Sequence, residues 1–305
     1  MDEFDIIVVG GGSAGSAAAG RLAESGKYKV CLVEAGGKNN DLFVRTPGLL
    51  ALMPKRSNWA YDTEPMAGLG GRIGYQPRGR GMGGSSAING MVYIRGNAWD
   101  YDNWAALGCT GWSWDDVLPV FRRQEDNERG SDGFHGKGGP LHVSDQIAPS
   151  PVGEAFVEAA TRLQLPRNDD FNGAKQEGFG LYQVTQHNGE RWSAARAFVD
   201  PLASNSNLSV RTGALVEKIV IEDGRATGVA VRFGNKREVL CAKAGVILSA
   251  GAFGSPQIMM LSGIGPGAHL QEHGIDTLVD KAAVEAVKTG ARMDIEYIEK
   301  PALYR

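Results

Sequence analysis

The residues best placed to do chemistry come first in the chain. Gly10-Gly11-Gly12-Ser13-Ala14-Gly15 sets Gly10, Gly12 and Gly15 in a G-x-G-x-x-G spacing, and Glu34 lies 19 positions after Gly15. In that spacing the first glycine permits a tight turn and the second lets backbone approach a pyrophosphate. The third lets a helix pack close to a strand. The N–H groups and dipole at a helix N-terminus then hold the phosphates. Glu34 is placed to accept hydrogen bonds from a ribose diol and to repel a 2′-phosphate, which leaves FAD and NAD and disfavours NADP. A glycine-rich strand–helix turn without a ligand is the plain alternative. These residues need flanking elements to hold them. Phe4–Val9 is a continuous apolar, β-branched run, read as a strand buried on both faces of a parallel sheet. Ser16–Glu24 carries small residues at helical spacing, and Lys29–Glu34 reads as a second buried strand that ends in the acid.

Gly79-x-Gly81-x-x-Gly84 repeats the spacing but follows Pro77-Arg78 rather than an apolar strand, so it is not a second turn of that kind. It lies in a stretch with nine glycines among residues 68–90, too dense for a regular helix or a central strand. Arg72, Ile73, Tyr75, Ile88, Tyr93 and Ile94 interleave with these glycines or follow them. A flexible linker is poorer in such residues, so the stretch reads as backbone wrapped around a ligand.

On these residues the chain resembles a known family. Gly79-Arg80-Gly81-Met82-Gly83-Gly84-Ser85-Ser86-Ala87-Ile88-Asn89, continuing to Tyr93, Gly96 and Asp102, is similar to the first signature of the glucose–methanol–choline (GMC) flavoprotein oxidoreductases. Gly251-Ala252-Phe253-Gly254-Ser255-Pro256, continuing to Gly265, resembles the second. Residues 88–105 look like the choline and alcohol dehydrogenase branch, and the resemblance spans about 4–280. It implies an α/β fold, a Rossmann-like FAD-binding domain of GMC type with a partial inserted substrate cap. The implied domain is discontinuous over 1–134 and 205–280, the cap region is 135–204, and the C-terminal part of the family fold is missing. The resemblance places Gly10, Gly12, Ser13, Ala14 and Gly15 at the FAD pyrophosphate and Glu34 at the adenosine ribose, and counts Ala35 among the cofactor-binding residues. Gly83, Gly84, Asn89, Gly90, Met91 and Val92 would run past the pyrophosphate and the isoalloxazine. Val216 would meet adenine, and Ala250 and Gly251 would close near the ribityl chain. Some members join a loop histidine covalently to the flavin. Ile88 stands at that position, so non-covalent FAD is implied.

The family oxidises alcohols by hydride transfer to the flavin, with a histidine from a C-terminal segment taking the hydroxyl proton. None of His135, His142, His187, His269 and His273 matches that position, so no catalytic residue is assigned. His269 and His273 are four apart, but no third ligand is evident and no metal site is expected. Beyond Asp280 the Lys/Glu/Ala-rich stretch 281–305 does not fit the family. Within it 282–287 has a helical pattern and 293–299 alternates like a strand. The expected function is that of an FAD-dependent oxidoreductase acting on an alcohol or choline-like CH–OH donor, truncated and impaired as a lone chain. A non-catalytic FAD-binding protein and half of a split enzyme are the alternatives.

Elsewhere, 112–125 reads as a helix capped by Ser113 or Asp115, and Pro151–Gln164 and Ser193–Leu202 as further helices. Stretches 130–150 and 165–190 read as irregular. Residues 208–212, 215–223, 228–233 and 237–242 read as strands, with turns at Asp223-Gly224 and Gly234-Asn235, and 245–251 as a separate buried strand. The 305 residues allow one large α/β domain or two modest ones. A net charge of −3 disfavours a nucleic-acid partner. Cys31, Cys109 and Cys241 are far apart, the chain starts with Met1-Asp2-Glu3, and no apolar run approaches a membrane span, which together favour the cytoplasm. A small-molecule alcohol is the expected partner. No motif distinguishes oxygen from a quinone-type electron acceptor, and none sets an oligomeric state.

Overall fold

The computed structural model describes residues 3–285. These group into two compact units. The first comprises 3–40, 53–88 and the described residues from 194 onward; the second comprises Asp41–Leu52 and Asn89–Ser193.

The first unit is built on one six-stranded sheet. Its strands are β1 (Glu3–Val9), β2 (Val30–Glu34), β3 (Leu208–Thr212), β4 (Ala214–Glu222), β5 (Arg225–Phe233) and β6 (Lys236–Leu248). They lie in the order β4-β5-β6-β1-β2-β3. β6, β1, β2 and β3 are mutually parallel, and β4, β5 and β6 form an antiparallel meander. The helix α1 (Ser13–Glu24) is the crossover between β1 and β2. The apolar runs in β1 and β2 follow from burial on both faces. Ile7, Val9, Cys31 and Val33 pack with Val216, Val229, Val231 and Leu240 on one side. Val8, Val30 and Leu32 pack with Ala19, Ala23, Ala195 and Val199 on the other. The small residues of α1 let it lie close to the helix Ala194–Phe198, where Gly20 abuts the Phe198 carbonyl. Asp223 and Gly224 have φ of 49° and 74°, the left-handed pair of a tight hairpin turn between β4 and β5.

Two expectations are corrected. Residues 237–242 and 245–248 are not separate strands but one strand of 13 residues. Up to Cys241 it runs antiparallel to β5, and from Cys241 it runs parallel to β1. A register shift opposite Phe4–Ile6 absorbs the change of partner. Lys243 and Ala244, whose exposure interrupts the apolar pattern, sit where the strand passes between its two neighbours. The helix expected to reach Gln164 ends at Arg162, and Gln164 turns left-handed at φ 61°.

In the second unit the helices Ala98–Ala106 and Trp114–Gln124 each start with a capping box, Asn97 with Asp100 and Ser113 with Asp116. Its centre is a buried polar network. Arg95 donates to Glu125 at 2.8 Å, with side chains 2% and 0% exposed. His135 lies between Glu125 at 3.1 Å and Asp170 at 3.0 Å. Glu125–Asn127 pairs with Leu141–Val143, and the Tyr93 N–H donates to the Gln183 carbonyl at 2.9 Å. These bonds draw 89–134, which the sequence reading assigned to the cofactor-binding part, together with 135–193. The described part of the tail includes a single helical turn, Ala282–Glu285. The strand-like stretch 293–299 lies outside the described residues.

Candidate functional site

At the carboxyl ends of β1, β2 and β6 the first unit holds a cavity of about 510 Å³. This is the crevice where the strand order reverses beside β1, the usual ligand position in an open parallel sheet. The glycine turn forms its floor. The Gly10 N–H donates to the Val33 carbonyl at 2.8 Å, and Gly10 itself takes φ 97°, which a side chain would resist. Gly15 lies against the Gly10 carbonyl oxygen, so a methyl group there would overlap it. That contact brings the start of α1 onto the turn.

Two helices point their N-termini at the same space. α1 has neither a side-chain cap nor an acid in its first turn, and Ser13 and Ala14 line the cavity. The helix Gly251–Leu261 likewise has no side-chain cap, and its residues Gly251 to Ser255 line the opposite part. Unpartnered first-turn N–H groups with aligned dipoles suit an anion. The charged residues among the described lining are Glu34 and Arg78.

Glu34 is 6% exposed and satisfied by backbone. Its Oε2 accepts from the Gly11 N–H at 2.7 Å, and its Oε1 accepts from the Gly36 and Gly81 N–H groups, each at 2.8 Å. One carboxylate therefore ties the glycine turn, the end of β2 and the 79–84 loop together. Two backbone bonds complete the seam, from the Met82 N–H to the Gly37 carbonyl at 2.9 Å and from the Gly83 N–H to the Gly11 carbonyl at 2.8 Å. A carboxylate oxygen has about two acceptor positions, so Oε2 keeps room for one further donor.

Of the residues singled out from sequence, Gly10, Gly12, Ser13, Ala14, Glu34, Ala35, Gly84, Val216, Ala250 and Gly251 line the cavity. Gly15 and Gly83 stand behind it as packing and seam. Asn89, Gly90, Met91 and Val92 belong to the second unit. There the Asn89 carbonyl and Oδ1 accept from Arg191 Nη1 at 2.7 and 2.9 Å. Oδ1 also accepts from the Met91 N–H at 3.0 Å. Arg191 is buried, and the loss of water draws its guanidinium down to about 10. None of the five histidines lines the cavity. His269 and His273 meet edge-on with ring centroids 4.8 Å apart. Among the described residues no group of three or more potential ligands is arranged to hold a metal.

The sequence reading missed Trp59, Tyr61, Arg78 and Phe253, which line the cavity as well. The available signal was the alternation Trp59-x-Tyr61 facing Arg78-x-Arg80, and nothing in it points to Phe253.

A family model described as GMC oxidoreductase matches residues 4–284. The chain is 48% identical over 286 residues to an oxygen-dependent choline dehydrogenase of Rhizobium johnstonii, covering 93% of this chain and 52% of that protein. A protein of the same name from Brucella suis is 43% identical over 284 residues, covering 92% and 52%. Among solved structures, pyridoxine 4-oxidase from Mesorbium loti has a TM-score of 0.86 at 37% identity, covering 90% of this chain and 55% of that one. An FAD-dependent oxidoreductase from Chaetomium thermophilum has a TM-score of 0.85 at 31% identity, covering 92% and 51%. The chain spans about half the length of the curated relatives it matches.

Proposed function

The chain belongs to the GMC oxidoreductase family, and from that premise we propose that its cavity holds FAD, without a covalent link, for the oxidation of an alcohol or choline-like CH–OH donor. The observation that carries this reading is the lining itself: a glycine turn, two uncapped helix N-termini and a buried acid around one crevice. These features fit the group. The helix N-termini suit a pyrophosphate, and the remaining acceptor position on Glu34 suits a ribose hydroxyl. Gly10, Gly12, Ser13, Ala14 and Gly84 would hold the phosphates, Glu34 and Ala35 the adenosine ribose, and Val216 the adenine. Ala250 and Gly251 would lie along the ribityl chain. Bound FAD would supply the two-electron acceptor for a hydride from the carbinol carbon. The chain's part is to orient that group and to exclude water around it.

A second reading, FAD binding without turnover by this chain alone, is favoured by the position of the histidines, none of which lines the cavity. The two readings share the cofactor and differ in whether an alcohol reduces it. Saturate the purified chain with FAD, add choline or a simple alcohol without oxygen, and monitor the flavin absorbance. Saturable binding with slow bleaching is expected of an impaired oxidoreductase, and no bleaching favours the second reading. Robust turnover by the chain alone would contradict the impairment, and lack of saturable binding would contradict both readings. Among the described residues no helix is long and apolar enough to cross a membrane. The scattered cysteines favour a cytoplasmic setting as part of the same proposal.

A further inference from the structure

The helix Pro151–Arg162 of the second unit carries two apolar seams, and its own unit covers one of them. Gly153, Val157 and Ala160 form the covered seam, at the i, i+4, i+7 spacing of one helical face. Val157 and Ala160 are each 6% exposed, and a methyl group at Gly153 would touch the Leu181 side chain. Val152, Phe156, Ala159 and Leu163 repeat that spacing one position earlier in the chain. Their seam is turned about 100° round the helix from the first. Val152, Phe156 and Leu163 are 78%, 63% and 75% exposed, and Ala159 is exposed too. The Leu163 N–H still donates to the Ala159 carbonyl at 3.2 Å, which keeps Leu163 on the helical path. Phe179 braces the Phe156 ring, with centroids 6.0 Å apart.

One seam is enough to dock a surface helix on its domain, and a second marks a helix with two neighbours. The sizes along the open seam select the second neighbour. Set a copy of the helix against it end for end, about a point between Phe156 and Ala159. Val152 then meets Leu163, and Phe156 meets Ala159, so each ring faces a small residue and the two surfaces interdigitate. A parallel copy would set ring on ring at Phe156 and leave a void at Ala159, both of them costly. The ends agree with the antiparallel choice. Glu154 lies in the first turn and Arg162 in the last, so the reversed copy brings acid beside base and opposes the helix dipoles.

We propose that the seam Val152–Phe156–Ala159–Leu163 pairs antiparallel with the same seam of a second copy of this chain. A surface complementary to itself is what a two-fold interface requires. One helix face is smaller than a standard interface, so the dimer is reversible and depends on concentration. The pairing is independent of the cofactor reading.

Sedimentation velocity of the full chain over a concentration series tests it, with circular dichroism to confirm that each variant is folded. Exchange between monomer and dimer is expected, and Phe156→Glu weakens the dimer about ten-fold or more. Ala159→Phe alone sets ring against ring and weakens it too. Combining Ala159→Phe with Phe156→Ala exchanges large and small across the axis and restores it. Disulfide trapping reads the direction, with the exposed Cys109 first changed to serine. Val152→Cys chains mixed with Leu163→Cys chains should cross-link, and neither should cross-link alone. In the antiparallel pair the two Val152 positions lie about 16 Å apart along the axis, beyond the reach of a disulfide. A chain that stays monomeric at every concentration overturns the proposal and gives the seam to another occupant. A dimer that survives Phe156→Glu, or Val152→Cys chains that cross-link with one another, overturns it as well.

Discussion

At the scale of single residues, Glu34 combines two tasks that are usually described separately. Three backbone N–H groups from three segments converge on its carboxylate. Charge-assisted bonds of this sort are about twice as strong as neutral ones. In Glu34→Gln an amide nitrogen must face at least one N–H donor, which leaves a buried group unpaired at about 1–3 kcal/mol. A lower melting temperature and weaker FAD binding are expected together, read by thermal unfolding and titration. An unchanged melting temperature would show that the bonds do not brace the turn. Glu34 and the glycines were legible in the sequence because their spacing encodes a local mechanism. Trp59, Tyr61, Arg78 and Phe253 were not. They come together only through the ribbon 57–62/75–80 and the far helix Gly251–Leu261, and no spacing rule links such distant positions.

At the scale of elements, the sheet was the most legible part. A strand buried on both faces has to be apolar throughout, and β1 and β2 show that run directly. β3 was legible from end to end, because it is short and bounded by turns. β6 reads as two strands because Lys243 and Gly245 interrupt its apolar run where the strand changes neighbour, which sequence presents as a break. The joint between β1 and α1 permits a sharp test. Alanine in place of glycine ordinarily favours a helix by up to about 1 kcal/mol. At Gly15 the added methyl meets the Gly10 carbonyl oxygen, and overpacking of this kind costs about 1–3 kcal/mol. Gly15→Ala should therefore lower stability and FAD affinity together, seen in denaturant melts and titration. A stabilised variant would mean that α1 can move away from the turn at no cost.

At the scale of the whole molecule, the polar centre of the second unit predicts a pH response. The hydrogen bond to Glu125 raises the His135 imidazole above its ordinary value against the opposing effect of burial, and the bond to Asp170 adds to the rise. Burial pushes the Glu125 carboxyl up, but bonds from His135, Gly136 and Asn127 and the Arg95 charge hold it below the usual range. The folded state thus binds more protons at His135 than the unfolded state between the two imidazole values, so stability falls as pH rises there. His135's contribution is complete below about pH 6.5 and is lost as pH passes its raised folded value. Urea melts across neutral and alkaline pH should show this decline, and His135→Gln should flatten it. An equal slope in that variant would assign the effect to another group.

The family places the chain among flavoproteins, yet it spans about half the length of the curated relatives it matches. Whether this half carries the cofactor site by itself is therefore the central question, and calorimetric titration of the purified chain with FAD answers it most directly. One saturable site, competed by ADP and weakened by Gly15→Ala, is the predicted result. Absence of saturable binding by a folded wild-type chain would contradict it.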